Sequence, residues 1–128
     1  MGRLGQRIAQ AERALARLRE LESHPFDAIV RDAAIQRFEF SFEAVWKAAQ
    51  AVLTERFGTR LGAPKPVIRA SLENGLLEEQ EAALAMAMVD HRNLTSHTYN
   101  EALANEIFAA LGAYRALMET WLSRLAAA

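Results

Sequence analysis

The sequence predicts an all-α fold, an antiparallel four-helix up-and-down bundle with one extra short helix. Three observations carry that expectation. Apolar residues recur every three or four positions along the chain, and no stretch alternates as a strand does. Ala, Leu, Glu and Arg, all good helix formers, dominate. The 6 glycines and 3 prolines are few and clustered, so they divide the chain into a handful of long segments.

The first helix carries Leu4, Ile8, Ala11, Leu15 and Leu18, which step by four and three to give one apolar stripe. It stops at Ser23-His24-Pro25, because proline disfavours helix at the residue before it. A second helix is expected over residues 27–57, with Ile35, Phe38, Phe42, Val45, Ala49 and Val52 as its stripe. Phe40 points away from that stripe, as does Trp46 in part; a second apolar surface of this kind suits either a neighbouring helix or a twin subunit. Residues 58–66, rich in Gly and Pro, form a loop. A short helix then runs from Pro66 to Asn74-Gly75, where glycine suits the helix end. A fourth helix begins near Glu78 and turns Leu84, Met88 and Val89 inward. The last runs from about Asn100 to the chain end on Leu103, Ile107, Leu111, Tyr114, Met118, Trp121 and Leu125. Thr98-Tyr99-Asn100-Glu101 reads as a capping box that restarts this helix at Thr98.

A chain of 128 residues, 52% of them hydrophobic, fits one domain over residues 1–128 with one core. It has no cysteine, which removes disulfides, thiolate catalysis and Cys-type zinc sites together and fits a reducing cytosol. The charged first helix lacks the apolar core of a signal peptide, and no apolar run approaches the ~18 residues needed to span a bilayer. A cytoplasmic location without membrane contact is therefore expected. The net charge of -1 gives no general attraction for nucleic acid, so any such contact must come from a local patch.

One stretch departs from core-building chemistry: DHRNLTSHTYN, residues 90–100. It gathers two of the three histidines, an Arg-Asn pair and a tyrosine. If the last helix restarts after it, Arg92 to His97 lie at a helix junction, where side chains converge across a turn. Arginine offers a forked, permanently charged donor that suits a phosphate. Histidine takes or gives a proton near neutral pH. Asparagine orients a water, a ribose hydroxyl or the imidazole ring. Arg92, Asn93 and His97 together suit a phosphodiester. RNA supplies its own nucleophile, the 2'-hydroxyl, so the chemistry needs a base, an acid and a cation but no metal. One chain offers one well-placed histidine, and a two-fold dimer would bring two into one cleft.

The same residues have a purely structural reading. Arg92 would pair with Asp90 or a nearby glutamate, His97 would cap a helix end, and Tyr99 would pack with its hydroxyl at the rim. His91 reads as a solvated neighbour and His24 as a turn residue. Too few histidines and no carboxylate arrangement around them point to a metal site. No cofactor is expected.

RNLTSHTYNE, together with RDAAIQRFEFSFEAVWK at residues 31–47, resembles the nucleotidyltransferase substrate-binding protein family, part of the HEPN superfamily of small helical domains. The resemblance covers nearly the whole chain. It implies a helical bundle that dimerises and binds a minimal nucleotidyltransferase encoded nearby, in a heterotetramer or larger assembly. It further implies one of two activities. One is a metal-independent ribonuclease toxin with an R-x4-H-x-Y motif, silenced by the nucleotidyltransferase as antitoxin. The other is a non-catalytic nucleotide- or substrate-binding subunit. Carried over, Arg92 and His97 match the R-x4-H pair and Asn93 the polar residue after the arginine. Tyr99 matches a tyrosine to which the partner adds AMP. Arg37, Glu39, Trp46 and Lys47 match family positions with structural roles. Ala82-Ala83-Leu84 departs from the family in lacking a tryptophan. A third possibility, a bundle whose polar stretch only holds a dimer, leaves the titratable groups unused.

Overall fold

Every long segment of the chain that can bury an apolar stripe does so as a helix. The structure, a computed structural model, describes residues 2–128. It contains α1 (Arg3–Glu20), α2 (Ala28–Phe57), α3 (Pro64–Glu73), α4 (Glu79–Asn93) and α5 (Glu101–Ala127). Two 3-10 turns, Leu21–Ser23 and Thr95–His97, follow α1 and α4.

The helix boundaries have local causes. Asp27 caps α2 by accepting the amide of Val30 at 2.7 Å. Gly58, at φ 67, ends α2 in the left-handed conformation that glycine adopts without strain. The short helix α3 begins at Pro64 rather than Pro66. Pro64 stands at the first helical position, where the N–H it lacks would be unpaired anyway. Glu78 and Glu81 form a reciprocal capping box at the start of α4, with the Glu78 amide donating to Glu81 at 2.7 Å.

Cross-helix hydrogen bonds give the directions. Arg37 donates to the carbonyl of Arg17 at 2.7 Å, and Ser41 to that of Ala14 at 3.1 Å. Positions rise along α2 as they fall along α1, so the two are antiparallel. Arg115 meets Glu22 and Arg19 meets Glu119, so α1 and α5 are also antiparallel. Glu81 meets Arg124 while His91 meets Tyr114, so α4 opposes α5. By contrast α2 and α5 run the same way: Arg31 reaches Asn105 and Phe38 stacks on Tyr114. The four main helices therefore alternate in direction along the chain, and α3 packs beside α4 and α2.

The core lies along the α2–α5 pair. Phe38, Phe42, Ile107, Met118 and Trp121 are fully buried there, with Ala11 from α1, Ile68 from α3 and Met88 from α4 closing over them. Burying each such large side chain contributes on the order of 1.5–3 kcal/mol. The predicted α2 stripe is buried throughout, and so is Trp46, which packs inward and not partly away. Phe40 stays 39% exposed. Leu84 also departs from expectation. It is exposed, and α4 packs inward through Ala82, Ala85, Met88 and Val89 instead. Small residues there let α4 sit close to its neighbours, and Leu84 falls on the outer face. Among the described residues no helix is long and apolar enough to cross a membrane.

Candidate functional site

The polar stretch lies where α4 ends. Arg92 and Asn93 occupy its last turn, and Leu94 begins the turn that breaks the helix. The amides of Leu94, His97 and Asn100 each donate to the carbonyl three residues back, giving successive tight turns. The Thr95 hydroxyl donates to the Arg92 carbonyl at 2.8 Å, and that of Thr98 to the Thr95 carbonyl at 3.2 Å. These bonds satisfy carbonyls that the helix end leaves open. Asn100 then caps α5, its side chain accepting the Leu103 amide at 3.2 Å. The last helix thus starts from Asn100. The box expected at Thr98 does not form, because the Thr98 hydroxyl is turned back toward Thr95.

Arg92, Asn93 and His97 are therefore brought to one helix-to-helix junction. Asn93 and His97 are exposed. Arg92 is half-buried, and its guanidinium lies 3.7 Å from Glu43 on α2. Asp90, a candidate partner for Arg92, instead pairs with Lys65 at 2.8 Å. No hydrogen bond joins Arg92 to His97 among the described residues. The His97 ring packs edge-on to Tyr99, with centroids 6.1 Å apart. Tyr99 does not pack into the molecule. It stands 85% exposed, its hydroxyl open to solvent.

His91 is no solvated neighbour. Its Nδ1 lies 2.7 Å from the Tyr114 hydroxyl and its Nε2 lies 2.8 Å from Glu106. A carboxylate only accepts, so Nε2 carries the proton donated to Glu106, while Nδ1 shares a hydrogen bond with the Tyr114 hydroxyl. Burial, then the Asp90 and Glu106 carboxylates, hold the Tyr114 phenol above its ordinary value of 10.0. This cluster ties α4 to α5 behind the junction and leaves no ring nitrogen for chemistry. His24 sits exposed after the Leu21–Ser23 turn, as expected of a turn residue.

Two contributors escaped the sequence reading. Glu43 is one, a carboxylate on α2 that meets Arg92 from a distant part of the chain. Its spacing to Lys47, four residues on, was the available signal; the two lie 3.6 Å apart. Arg31 is the other, a buried cation held by Asp32, Asn105 and Glu101, which fixes the start of α5 against α2. Arg37, by contrast, has the structural part expected of it, bonding α2 to α1. Among the described residues no group of three or more His, Cys, Asp or Glu side chains gathers as a metal would need.

The junction on its five-helix frame can be compared with known proteins. The profile of the family described as "Nucleotidyltransferase substrate binding protein like" matches residues 6–127. The chain belongs to this family. A protein of known structure from Thermus thermophilus is 55% identical, with a TM-score of 0.87 over 90% of this chain and 98% of that one. A tri-AMPylated HEPN toxin of Shewanella oneidensis, in complex with an MNT antitoxin, is 16% identical with a TM-score of 0.80 over the whole of both chains. A Haemophilus influenzae protein, described as showing the fold of a substrate binding domain of a nucleotidyltransferase, is 23% identical with a TM-score of 0.67. It is matched over 95% of this chain and 96% of that one. At such identities the last two establish likeness of fold alone. None of the curated proteins is similar enough to match. The fold of this family member is that of the HEPN toxins and of the nucleotidyltransferase substrate-binding domains.

Proposed function

We propose that the chain is the HEPN-like partner subunit of a minimal nucleotidyltransferase and acts as a metal-independent endoribonuclease, the toxin of a toxin-antitoxin pair. The observation that carries this reading is the junction itself. Arg92, Asn93 and His97 stand on one helix end shaped by side-chain hydrogen bonds, with the imidazole exposed and the guanidinium only loosely held by Glu43. His97 of one copy removes the proton of a 2'-hydroxyl as its oxygen attacks phosphorus. The bond to the 5'-oxygen breaks, and the second copy's protonated His97 supplies that oxygen with its proton. The products are a 2',3'-cyclic phosphate and a free 5'-hydroxyl. Arg92 leaves Glu43 for the phosphorane, whose charge it holds with two parallel N–H donors. Asn93 orients the phosphate or the ring. Tyr99, its hydroxyl open to solvent, accepts AMP from the partner. That step is supported by the Shewanella toxin of the same fold, which is AMPylated and bound to its antitoxin.

A second reading has an observation of its own. Glu43 partly neutralises Arg92, as suits a site that binds and releases a nucleotide without cutting it, and the family description names substrate binding. Variants separate the two. With the partner removed, His97→Ala should lower RNA cleavage about 10²–10⁴-fold with the helical spectrum unchanged. Arg92→Ala should be as severe, and Arg92→Lys should rescue only part, because lysine lacks the planar fork. Light scattering of the same samples should give twice the chain mass. A strict monomer at high concentration removes the two-histidine cleft. A wild-type chain that cuts no RNA but binds a nucleotide through Arg92 selects the second reading.

A further inference from the structure

A second concave site lies on the other side of Glu43 from the junction. Between α1, α2 and the loop after α2 runs a groove of about 320 Å³ whose charged lining is Arg3, Arg7, Lys47 and Arg60 against Glu55. Lys47 is paired with Glu43, which leaves three arginines against the one lining carboxylate, a local excess in a chain of net charge -1. Arg3, Arg7 and Arg60 take part in no ion pair among the described residues, whereas Arg19, Arg31, Arg37, Arg92, Arg115 and Arg124 all do. The groove is held in shape. Gln50 donates to the Leu61 carbonyl at 2.6 Å, the Thr54 hydroxyl to that of Thr59 at 3.2 Å, and the Thr59 amide to that of Leu53 at 2.9 Å. These bonds fold the loop carrying Arg60 back along α2. Arg3 lies in the first turn of α1, which has neither a side-chain cap nor an acidic residue, so the positive helix end adds to the field.

We propose that this groove is a docking channel for the phosphate backbone of single-stranded RNA and leads the strand to the Arg92 and His97 junction. The proposal rests on the ribonuclease reading for the purpose of the channel, though not for its binding. Continuity along α2 supports it. Lys47, at the groove, and Arg92, at the junction, share Glu43 at 3.6 and 3.7 Å. A strand laid along that face passes from Lys47 over Glu43 to Arg92, and its phosphates replace the Glu43 carboxylate as partner of both cations. Among the described residues no aromatic side chain lines the groove, so its main attraction for a strand is charge on the phosphate backbone.

The test measures binding apart from cutting. Fluorescence anisotropy in EDTA, on the His97→Ala chain, follows a single-stranded RNA of about 12 nucleotides. Adding Arg3→Ala, Arg7→Ala and Arg60→Ala should weaken binding about tenfold or more and flatten the salt dependence by about two in slope, since each lost phosphate contact removes roughly 0.7. Arg60→Glu alone, on an exposed side chain, should act in the same direction. With His97 intact, the triple variant should cut a dinucleotide, too short to reach the groove, at the wild-type rate, and should cut the long RNA more slowly. Unchanged affinity and salt slope in the triple variant overturn the channel. So does ATP binding that depends on the three arginines while RNA binding does not. A wild-type chain that cuts neither substrate refutes the ribonuclease reading alone, and the anisotropy arm still decides the groove.

Discussion

Thr95 is a small buried residue with a large effect on the junction. Its hydroxyl bonds the Arg92 carbonyl, so the backbone that carries the guanidinium is tied to the turn that carries His97. The residues proposed to bear the chemistry were singled out in the sequence because Arg92, Asn93 and His97 stand close along the chain in a setting otherwise built of apolar and charged helix formers. Partners contributed by other helices could not. Glu43 reaches Arg92 across the bundle, and His91 gains Tyr114 and Glu106 only when α4 packs on α5. Two histidines in one short stretch look alike on paper, and packing makes one a brace and leaves the other exposed. Tyr99 carries the prediction at this scale. Its hydroxyl is open to solvent, and on the proposed reading co-expression with the proposed nucleotidyltransferase partner should add adenylate mass to the chain, and Tyr99→Phe should abolish the addition. An unmodified chain beside an active partner and ATP would count against the toxin-antitoxin account.

At the scale of elements, the start of α4 shows how a helix end is tied to the bundle. Glu81 bonds the Glu78 amide and also pairs with Arg124 of α5, so one carboxylate serves a cap and a cross-helix contact. Those bonds, that to Arg124 foremost, hold its carboxyl below the ordinary 4.5. The folded value is the lower one, so the stability it contributes is present above the unfolded value and is lost as pH falls through the folded value. Glu81→Gln should cost about 1–2 kcal/mol near neutral pH, and its gap to wild type should close on acidification below 4.5. A chemical-denaturation series in which the gap stays constant from neutral to acid pH would refute this. Helix existence and order were legible from periodicity and from the breaks at Pro25 and Gly58. Boundaries were less so: α3 starts two residues earlier because Pro64 fits the first helical position, and α5 starts from Asn100 because the Thr98 hydroxyl is engaged in the preceding turn. Leu84 misled because α4 uses alanines to approach its neighbours closely, and a periodicity count weighs leucine above alanine.

For the whole molecule, α2 and α5 run in parallel through the core with α1 on one side and α3 and α4 on the other, which places the junction and the cationic groove along one flank of α2. That arrangement could not be read from the linear order, because consecutive helices alone suggest only antiparallel neighbours. The central claim is that the α4-to-α5 junction cleaves RNA by proton transfer through His97, using the RNA's own hydroxyl. The most direct measurement is mass spectrometry of a DNA strand carrying a single ribonucleotide, incubated in EDTA with the chain freed of its partner. The account predicts one cut, immediately after the ribonucleotide, leaving a 2',3'-cyclic phosphate and a 5'-hydroxyl, and no cut by His97→Ala or with a 2'-deoxy control. An uncut strand with ribonucleotide-containing RNA also left intact, or cleavage that survives His97→Ala, would contradict it.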